Sequence, residues 1–391
     1  MSEFLELYEL RRFLPLPYEA AAAPRLKMAQ DKLQGERPAW VSLPGEGTAL
    51  LRLHTLAESI LAQGQTLLVV EDGVLRSGVE GVAGCLGAAS GQVRLLSGLP
   101  REEELRQALA LAECQDVVLY TAEGEDTPAF RLLRQVLMKR YGGEAGRRLL
   151  LAENLGTGGR SGFGLLTAAG LLPMAVLGVD LGALLCGAVR MMERCRAATF
   201  ENPAWRYAAV RRQLCRSGFT VELLCGWDAA LRPLLEWAKG LFAAAEGKER
   251  RTLFPVVVDY SRDFRSLGQC LQDGPRLFFE TVVRLDAAGD GETGLTRLRE
   301  AVMEGTLLSH TEHGVPNLIL RPGGADAASL GGLIYFFQYA CGLSACLLDA
   351  DPAARPGVEA CEGRIRSLFP PAWEELEEGP ARERPVPAGI L

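Results

Sequence analysis

The sequence is poor in histidine, lacks closely paired cysteines and has no excess of positive charge, and each shortage argues against a class of protein. Its 391 residues include three histidines, and a zinc site built on His310 and His313 would need further ligands that no nearby cysteine supplies. The ten cysteines contain no Cys-x-x-Cys pair, so we interpret them as small apolar residues of a reducing cytoplasm. The net charge of −7 leaves no positive field for nucleic acid or for an anionic membrane surface.

An export signal and a membrane span are not indicated either. The first ten residues alternate acidic and apolar side chains, whereas a secretory signal begins with basic residues. Residues 161–179 carry no charge, and apolar character resumes from Leu181 to Val189, which is long enough to cross a bilayer. Pro173, four glycines and the intervening Asp180 oppose that interpretation, so we expect a buried core helix.

Short β-branched or leucine-rich runs alternate with longer helical patterns along the chain. This rhythm predicts an α/β fold whose parallel sheets are covered on both faces. Asn202 and Pro203 predict the start of a helix that ends near Ser217, and a domain boundary lies just ahead of it, near Ala198. We expect an N-terminal helical segment (1–45), two α/β domains (46–197 and 198–370) and a tail (371–391). The predicted strands are 66–70, 116–120, 148–152, 219–224, 254–259, 278–284, 317–321 and 344–348.

One glycine-rich loop has the chemistry of an anion site. Gly156–Gly162 follows a predicted strand and precedes a helical run, so backbone N–H groups and the Arg160 guanidinium could meet an oxyanion. It is not a Walker A loop, because no Gly-Lys-Ser/Thr occurs, and a plain tight turn remains the alternative. His310 precedes a loop that leads into a strand, where catalytic groups of α/β folds lie; a solvent-exposed histidine is the alternative there.

The order of short segments resembles the phosphoglucose isomerase (glucose-6-phosphate isomerase) family nearly end to end. The resemblance implies two doubly wound parallel-sheet sugar-isomerase (SIS) domains, each a three-layer α/β/α sandwich. The matching segments are Gly158-Gly159-Arg160, Leu166–Pro173, Asn202-Pro203-Ala204, Gly268-Gln269, Gln272-Asp273-Gly274, Leu277–Val282, Gly305–Thr311, Val315-Pro316-Asn317, Tyr335-Phe336-Phe337 and Pro356–Ala360.

Family members interconvert an aldose 6-phosphate and a ketose 6-phosphate through a cis-enediolate. The resemblance implies that Glu280 is the base, that Arg160 stabilises the enediolate charge, and that His310 assists ring opening from the partner subunit of a homodimer. It also implies a sugar-phosphate ligand, no cofactor and no metal. The implied substrate-binding residues are Gly158, Gly159, Thr121, Thr127 and Gln272.

Two departures from the family pattern leave a second function open. Glu362 stands where family members carry a lysine, with Arg364 and Arg366 as candidate replacements, and the phosphate loop from Thr121 to Thr127 has gained three acids. A unit charge about 4 Å from a phosphate costs about 4 kcal/mol at an effective dielectric of 20, more than the roughly 1.5–3 kcal/mol of a hydroxyl bond to it. The alternatives are therefore a weak or retuned isomerase and a catalytically lapsed paralogue that acts as a sugar-binding or sugar-phosphate-binding, or regulatory, module.

Overall fold

The computed structural model describes residues 4–8, 12–14, 18–36, 38–42, 47–71, 73–122, 127–155, 161–248, 252–286 and 294–368. Its strands are β1 (Leu5–Tyr8), β2 (Thr66–Glu71), β3 (Val93–Ser97), β4 (Val117–Thr121), β5 (Leu149–Leu151), β6 (Val221–Gly226), β7 (Phe254–Asp259), β8 (Phe278–Asp286) and β9 (Asn317–Gly324). Its helices are α1 (Tyr18–Glu36), α2 (Ala39–Ser42), α3 (Gly47–Ala62), α4 (Gly73–Leu86), α5 (Glu102–Cys114), α6 (Pro128–Tyr141), α7 (Ala168–Val176), α8 (Leu181–Cys195), α9 (Pro203–Arg216), α10 (Arg232–Glu246), α11 (Tyr260–Asp263), α12 (Leu267–Asp273), α13 (Gly294–Glu312), α14 (Ala327–Leu347) and α15 (Pro356–Leu368).

The first sheet contains parallel strands in the order β3-β2-β4-β5. Successive side chains of a strand point to opposite faces, and in β2 Leu67 and Val69 join one core cluster while Leu68 and Val70 join another. The second of these clusters contains side chains of α5 and α6, and the first contains side chains of α4 and α7. Helices therefore cover both faces of this sheet.

The second sheet has the order β1-β9-β8-β6-β7 and is parallel except for β1, which pairs antiparallel with β9. Leu224 and Phe279 face the cluster shared with the first sheet, whereas Leu223 and Val282 face a cluster with side chains of α12 and α13. Each sheet is thus the middle layer of an α/β/α sandwich, and the predicted fold class is confirmed. The segment expected to be helical (1–45) contributes a strand as well, because Leu5–Tyr8 complete the edge of the second sheet.

The sequence located most of the strands. Of the predicted strands, 254–259 coincides with β7, and the bounds of the others except 344–348 differ from those of an observed strand by at most three residues. Asn202 caps α9, since its Oδ1 accepts hydrogen bonds from the N–H groups of Ala204 (2.9 Å) and Trp205 (3.3 Å). The strand predicted at 344–348 is wrong: these residues end α14, whose buried apolar surface continues without the polar breaks that a strand boundary needs.

The uncharged stretch 161–179 and its apolar continuation form α7 and α8, which are separated at Gly178, where φ is +91°. α14 is the described helix that is long and apolar enough to cross a membrane by length and composition, and its apolar window is entirely buried inside the protein. α14 packs directly on α8. A Cβ at Gly187 would lie 1.8 Å from the Ala328 carbonyl oxygen, so only glycine permits this approach.

A buried charge cluster joins α9 to the second sheet. Arg211, which is 1% exposed, donates to Glu222 (2.8 Å) and Glu246 (2.7 Å) and to the Ser344 hydroxyl (3.2 Å). Burial opposes the charged guanidinium, but the attraction of the two carboxylates outweighs it and raises the pKa of Arg211. This cluster ties α9, β6, α10 and α14 together.

Candidate functional site

Glu280 lies inside the second sheet rather than at its rim. It is the third residue of β8, its N–H donates to the Pro316 carbonyl (2.8 Å), and its side chain is fully buried. In the parallel register it pairs with Leu223 of β6 and with Asn317, the first residue of β9. Glu280 therefore sits towards the amino ends of these strands, whereas ligands of open α/β sheets bind outside the carboxyl ends.

His310 and Tyr260 enclose the Glu280 carboxylate. His310, near the end of α13, places Nδ1 3.1 Å from Oε2 and 3.2 Å from Oε1 of Glu280. Tyr260, which begins α11 directly after β7, donates its hydroxyl hydrogen bond to Oε1. Burial, followed by the neighbouring Cys225 and Glu280, raises the pKa of Tyr260 well above its usual range, so the phenol stays a donor.

The cluster has the elements of a proton relay, because a carboxylate, an imidazole and a phenol lie within hydrogen-bond reach in a dry environment. Its geometry is closed, however. Glu280 is fully buried and His310 is 4% exposed, and three cavities that lie around α9 and α14 include neither residue among their lining residues. The His310 ring is packed against Glu280 of its own chain, and its expected service to the partner subunit's site stays a prediction.

Gln272 lies beside this cluster but outside it. It belongs to α12, and its Nε2 donates to the Ser309 hydroxyl (2.9 Å) and contacts Nδ1 of His313 (2.5 Å). His313 is exposed and His310 is buried, so the two histidines point into different environments. In the described residues no group of three or more histidine, cysteine, aspartate or glutamate side chains is placed to hold a metal ion.

Thr121 and Thr127 lie at the first sheet instead. Thr121 ends β4 and is buried, and Thr127 caps α6 by accepting a hydrogen bond from the Phe130 N–H (3.4 Å). Glu71, at the end of the neighbouring β2, accepts a hydrogen bond from the Ala122 N–H (2.7 Å). A carboxylate thus occupies the carboxyl edge of this sheet, where the resemblance implies a phosphate.

Several sequence-predicted site residues lie outside the described residues. These are Gly158, Gly159 and Arg160, together with the acidic part of the phosphate loop, Glu123 to Asp126. Glu362 and Arg364 are exposed on α15, and the Arg366 side chain is not described. The structure therefore brings Glu280 and His310 together with Gln272 nearby, and it places Thr121 in the other sheet and Thr127 at the start of α6.

Sequence reasoning missed Tyr260. The available signal was its position directly after the predicted strand 254–259, which is where an α/β fold presents polar groups. Nothing in the sequence pairs it with Glu280, which lies 20 residues further along the chain and on a strand separated from β7 by β6.

Comparisons with known proteins agree with the fold. No protein-family model matches the chain. A glucose-6-phosphate isomerase of Leuconostoc mesenteroides is 31% identical, in an alignment that covers 90% of this chain and 92% of that protein. A hypothetical protein of Thermus thermophilus superposes with a TM-score of 0.77 at 19% identity, over 93% of this chain and 99% of that one. A glucose-6-phosphate isomerase of Chlamydia trachomatis gives a TM-score of 0.67 at 12% identity, over 82% and 73%.

Proposed function

Because the chain belongs to the glucose-6-phosphate isomerase family, we propose that it is an aldose–ketose isomerase that interconverts glucose 6-phosphate and fructose 6-phosphate. The observation that carries this proposal is the 31% identity sustained over 92% of a curated relative that bears this name. A match of that length includes both α/β domains of this chain. The proposal places the protein in the cytoplasm, where sugar phosphates occur, and it needs no cofactor.

In this proposal Glu280 moves the proton between C2 and C1 of the open-chain sugar. The contact of 3.1 Å between Glu280 and His310 supports it, since the imidazole can return a proton to the carboxylate or stabilise its charge. Arg160 stabilises the enediolate, and Gly158, Gly159, Thr121, Thr127 and Gln272 contact the substrate. Because Glu280 is fully buried beneath Tyr260 of α11 and His310 of α13, substrate reaches it only if one of these helices moves away from the carboxylate.

A second candidate is a catalytically lapsed member of the family that binds a sugar or sugar phosphate. The position of the Glu280–His310–Tyr260 cluster favours it, because a closed cluster at the amino ends of β8 and β9 has the features of a structural network. The acidic Glu362 on the exposed face of α15 agrees with it, since a carboxylate cannot donate the proton that ring opening needs at neutral pH.

A coupled assay separates the two candidates. The purified protein is given fructose 6-phosphate, and glucose 6-phosphate formation is followed through a dehydrogenase that reduces NADP. The isomerase proposal expects turnover that disappears in Glu280→Gln. Turnover that survives this substitution would show that Glu280 is not the base. The lapsed form would be established if the wild type shows no turnover at high enzyme concentration but binds sugar phosphate measurably.

We also propose a homodimer, on the strength of the family resemblance. Exposed apolar side chains of α13, namely Leu295, Leu298, Val302 and Leu308, offer a surface that a second copy would cover. Light scattering at micromolar concentration measures the mass directly, and a monomer mass would contradict the proposal.

A further inference from the structure

Glu280 does not line the cavity of about 870 Å³ that lies beside the ends of α10 and α14. Its walls come from the C-terminal ends of α10 and α14, the first turn of α15, and side chains of α1 and α9. Four basic residues line it, namely Arg25, Arg212, Lys248 and Arg355, and two acids accompany them, Asp349 and Asp351. The basic residues are far apart in sequence, so only the fold collects them.

The charges of Arg25, Arg212 and Lys248 in this cavity have little compensation from carboxylates. Among the described residues, Arg25, Arg212 and Lys248 form no ion pair within 4.0 Å. Arg212 donates to the Leu347 carbonyl (2.7 Å), and Lys248 donates to the carbonyls of Ala245 (3.0 Å) and Asp351. Their hydrogen bonds therefore go to neutral backbone oxygens, and the full charges remain.

The electrostatics of the wall show the same imbalance. Burial lowers the pKa of Arg212, and the nearby guanidinium groups of Arg25 and Arg216 lower it further, while Asp349 opposes the shift. Burial also lowers the pKa of Lys248, and Asp351 only partly offsets it. Positive charges therefore lie close together on a partly buried concave surface. An anion that bound there would reduce their mutual repulsion.

Capping of helix ends is the structural alternative, because Arg212 and Lys248 contact the last carbonyls of α14 and α10. Each helix terminus carries only about half an elementary charge, negative at the ends of α10 and α14 and positive at the start of α15. With two aspartates against four cations, the wall keeps a net charge of about +1.5 after these ends are included. Capping alone leaves that charge unexplained, and it stands out on a protein whose net charge is −7.

We propose that this cavity binds a phosphorylated small molecule with at least two negative charges, held by Arg25, Arg212 and Lys248. The N–H groups of Gly357 and Val358, in the first turn of α15, line the cavity and have no acceptor within their own helix, which adds donors of the kind that phosphates use. The volume lies within the range of small-molecule sites. This site does not depend on turnover or on Glu280.

Calorimetric titration of the full chain at low salt tests the site, with inorganic pyrophosphate and glucose 6-phosphate as the two probes. We expect one site per chain for at least one probe, weakening as sodium chloride rises. Arg25→Gln and Lys248→Gln should each weaken binding about tenfold, as the loss of one charge-assisted hydrogen bond predicts. Asp351→Asn should tighten it, because an acid is removed and the side-chain oxygen that caps the Ala353 N–H (2.9 Å) is kept.

Arg52→Gln is the matched control, because Arg52 is an exposed arginine of α3 that does not line the cavity. It should leave the affinity unchanged, and circular dichroism confirms that each variant is folded. No binding of either probe at about 1 mM, or an affinity that Arg25→Gln and Lys248→Gln leave unaltered, would overturn the proposal. Pyrophosphate is not a substrate of the proposed isomerase, so a negative pyrophosphate titration leaves the isomerase assay unaffected, and an absence of turnover leaves the pyrophosphate titration unaffected.

Discussion

Glutamine in place of Glu280 removes one negative charge from the interior of the second sheet and changes the shape very little. The Tyr260 hydroxyl can still donate to the amide oxygen, but the His310 ring, 3.1 Å from the carboxylate, loses the charge that it faces. A hydrogen bond to a charged group contributes about 1.5–3 kcal/mol, and full burial prevents water from replacing it. We therefore expect the free energy of unfolding to fall by about 1.5–3 kcal/mol.

Urea denaturation followed by tryptophan fluorescence measures this loss, because the Trp227 ring lies 4.7 Å from the Tyr260 ring and reports on the cluster. Glu80→Gln is the matched control, since it removes a carboxylate from the partly exposed pair with Arg76 (2.7 Å), which contributes about 0.3–0.5 kcal/mol. Equal midpoints for wild type and Glu280→Gln would refute the charged cluster.

The same variant tests the catalytic role of Glu280. Loss of a general base lowers turnover by about 10²- to 10⁴-fold, whereas a purely structural carboxylate lowers stability and leaves kcat at temperatures below unfolding nearly unchanged. We expect both effects to appear together under the isomerase proposal. A destabilised variant with wild-type kcat would assign Glu280 to structure alone.

Arg211→Met leaves two buried carboxylates without their cation, so we expect urea denaturation to show that the free energy of unfolding falls by about 3–5 kcal/mol. A smaller fall than that of the Glu80→Gln control would contradict the buried charge cluster. Gly331→Ala places a methyl group at a Cβ position that lies 1.8 Å from the Leu184 carbonyl oxygen. This variant should lower Tm by an amount corresponding to about 1–3 kcal/mol. The control Gly305→Ala should not lower Tm, because no atom lies within 4 Å of its Cβ position. Burial raises the pKa of the Cys85 and Cys195 thiols from 9.0 to about 12. A thiol with a raised folded-state pKa stabilises the fold below its unfolded pKa, so Tm measured against pH should fall as pH rises from about 9 towards 12, and a flat profile would contradict the burial of these thiols.

The fold could be predicted because its signals are local. Strands such as β7 and β8 are short apolar runs between polar turns, and Asn202-Pro203 contains a complete helix start within two residues. The strand that was not predicted and the strand that was predicted wrongly also have local explanations. β3 contains an exposed arginine in the sequence Val-Arg-Leu-Leu-Ser, and the end of α14 is apolar on every side because it is entirely buried, so periodicity cannot separate it from a strand.

The candidate site could be predicted only in part, because its geometry depends on which face and which end of a sheet each residue occupies. Glu280 and His310 were predicted from a resemblance of short segments. The contact between them is a tertiary contact, which neither segment predicts by itself. The cationic cavity gave no sequence signal at all, since Arg25 and Lys248 belong to segments that meet only after α1, α9, α10 and α14 have packed.

The segments that match the family most closely lie largely in the interior, which explains why they identify the fold better than the chemistry. Asn317 begins β9 and donates through Nδ2 to the Thr311 hydroxyl (2.8 Å) and to the carbonyls of Val315 (3.2 Å) and Leu307 (3.3 Å). A fold that must satisfy these buried groups retains Asn317, Thr311, His310 and Glu280 whether or not a substrate is turned over. Their presence therefore does not separate an isomerase from a lapsed relative. The separation depends on groups that packing does not require, above all the exposed Glu362, because function is located in sites that a shared fold leaves free to change.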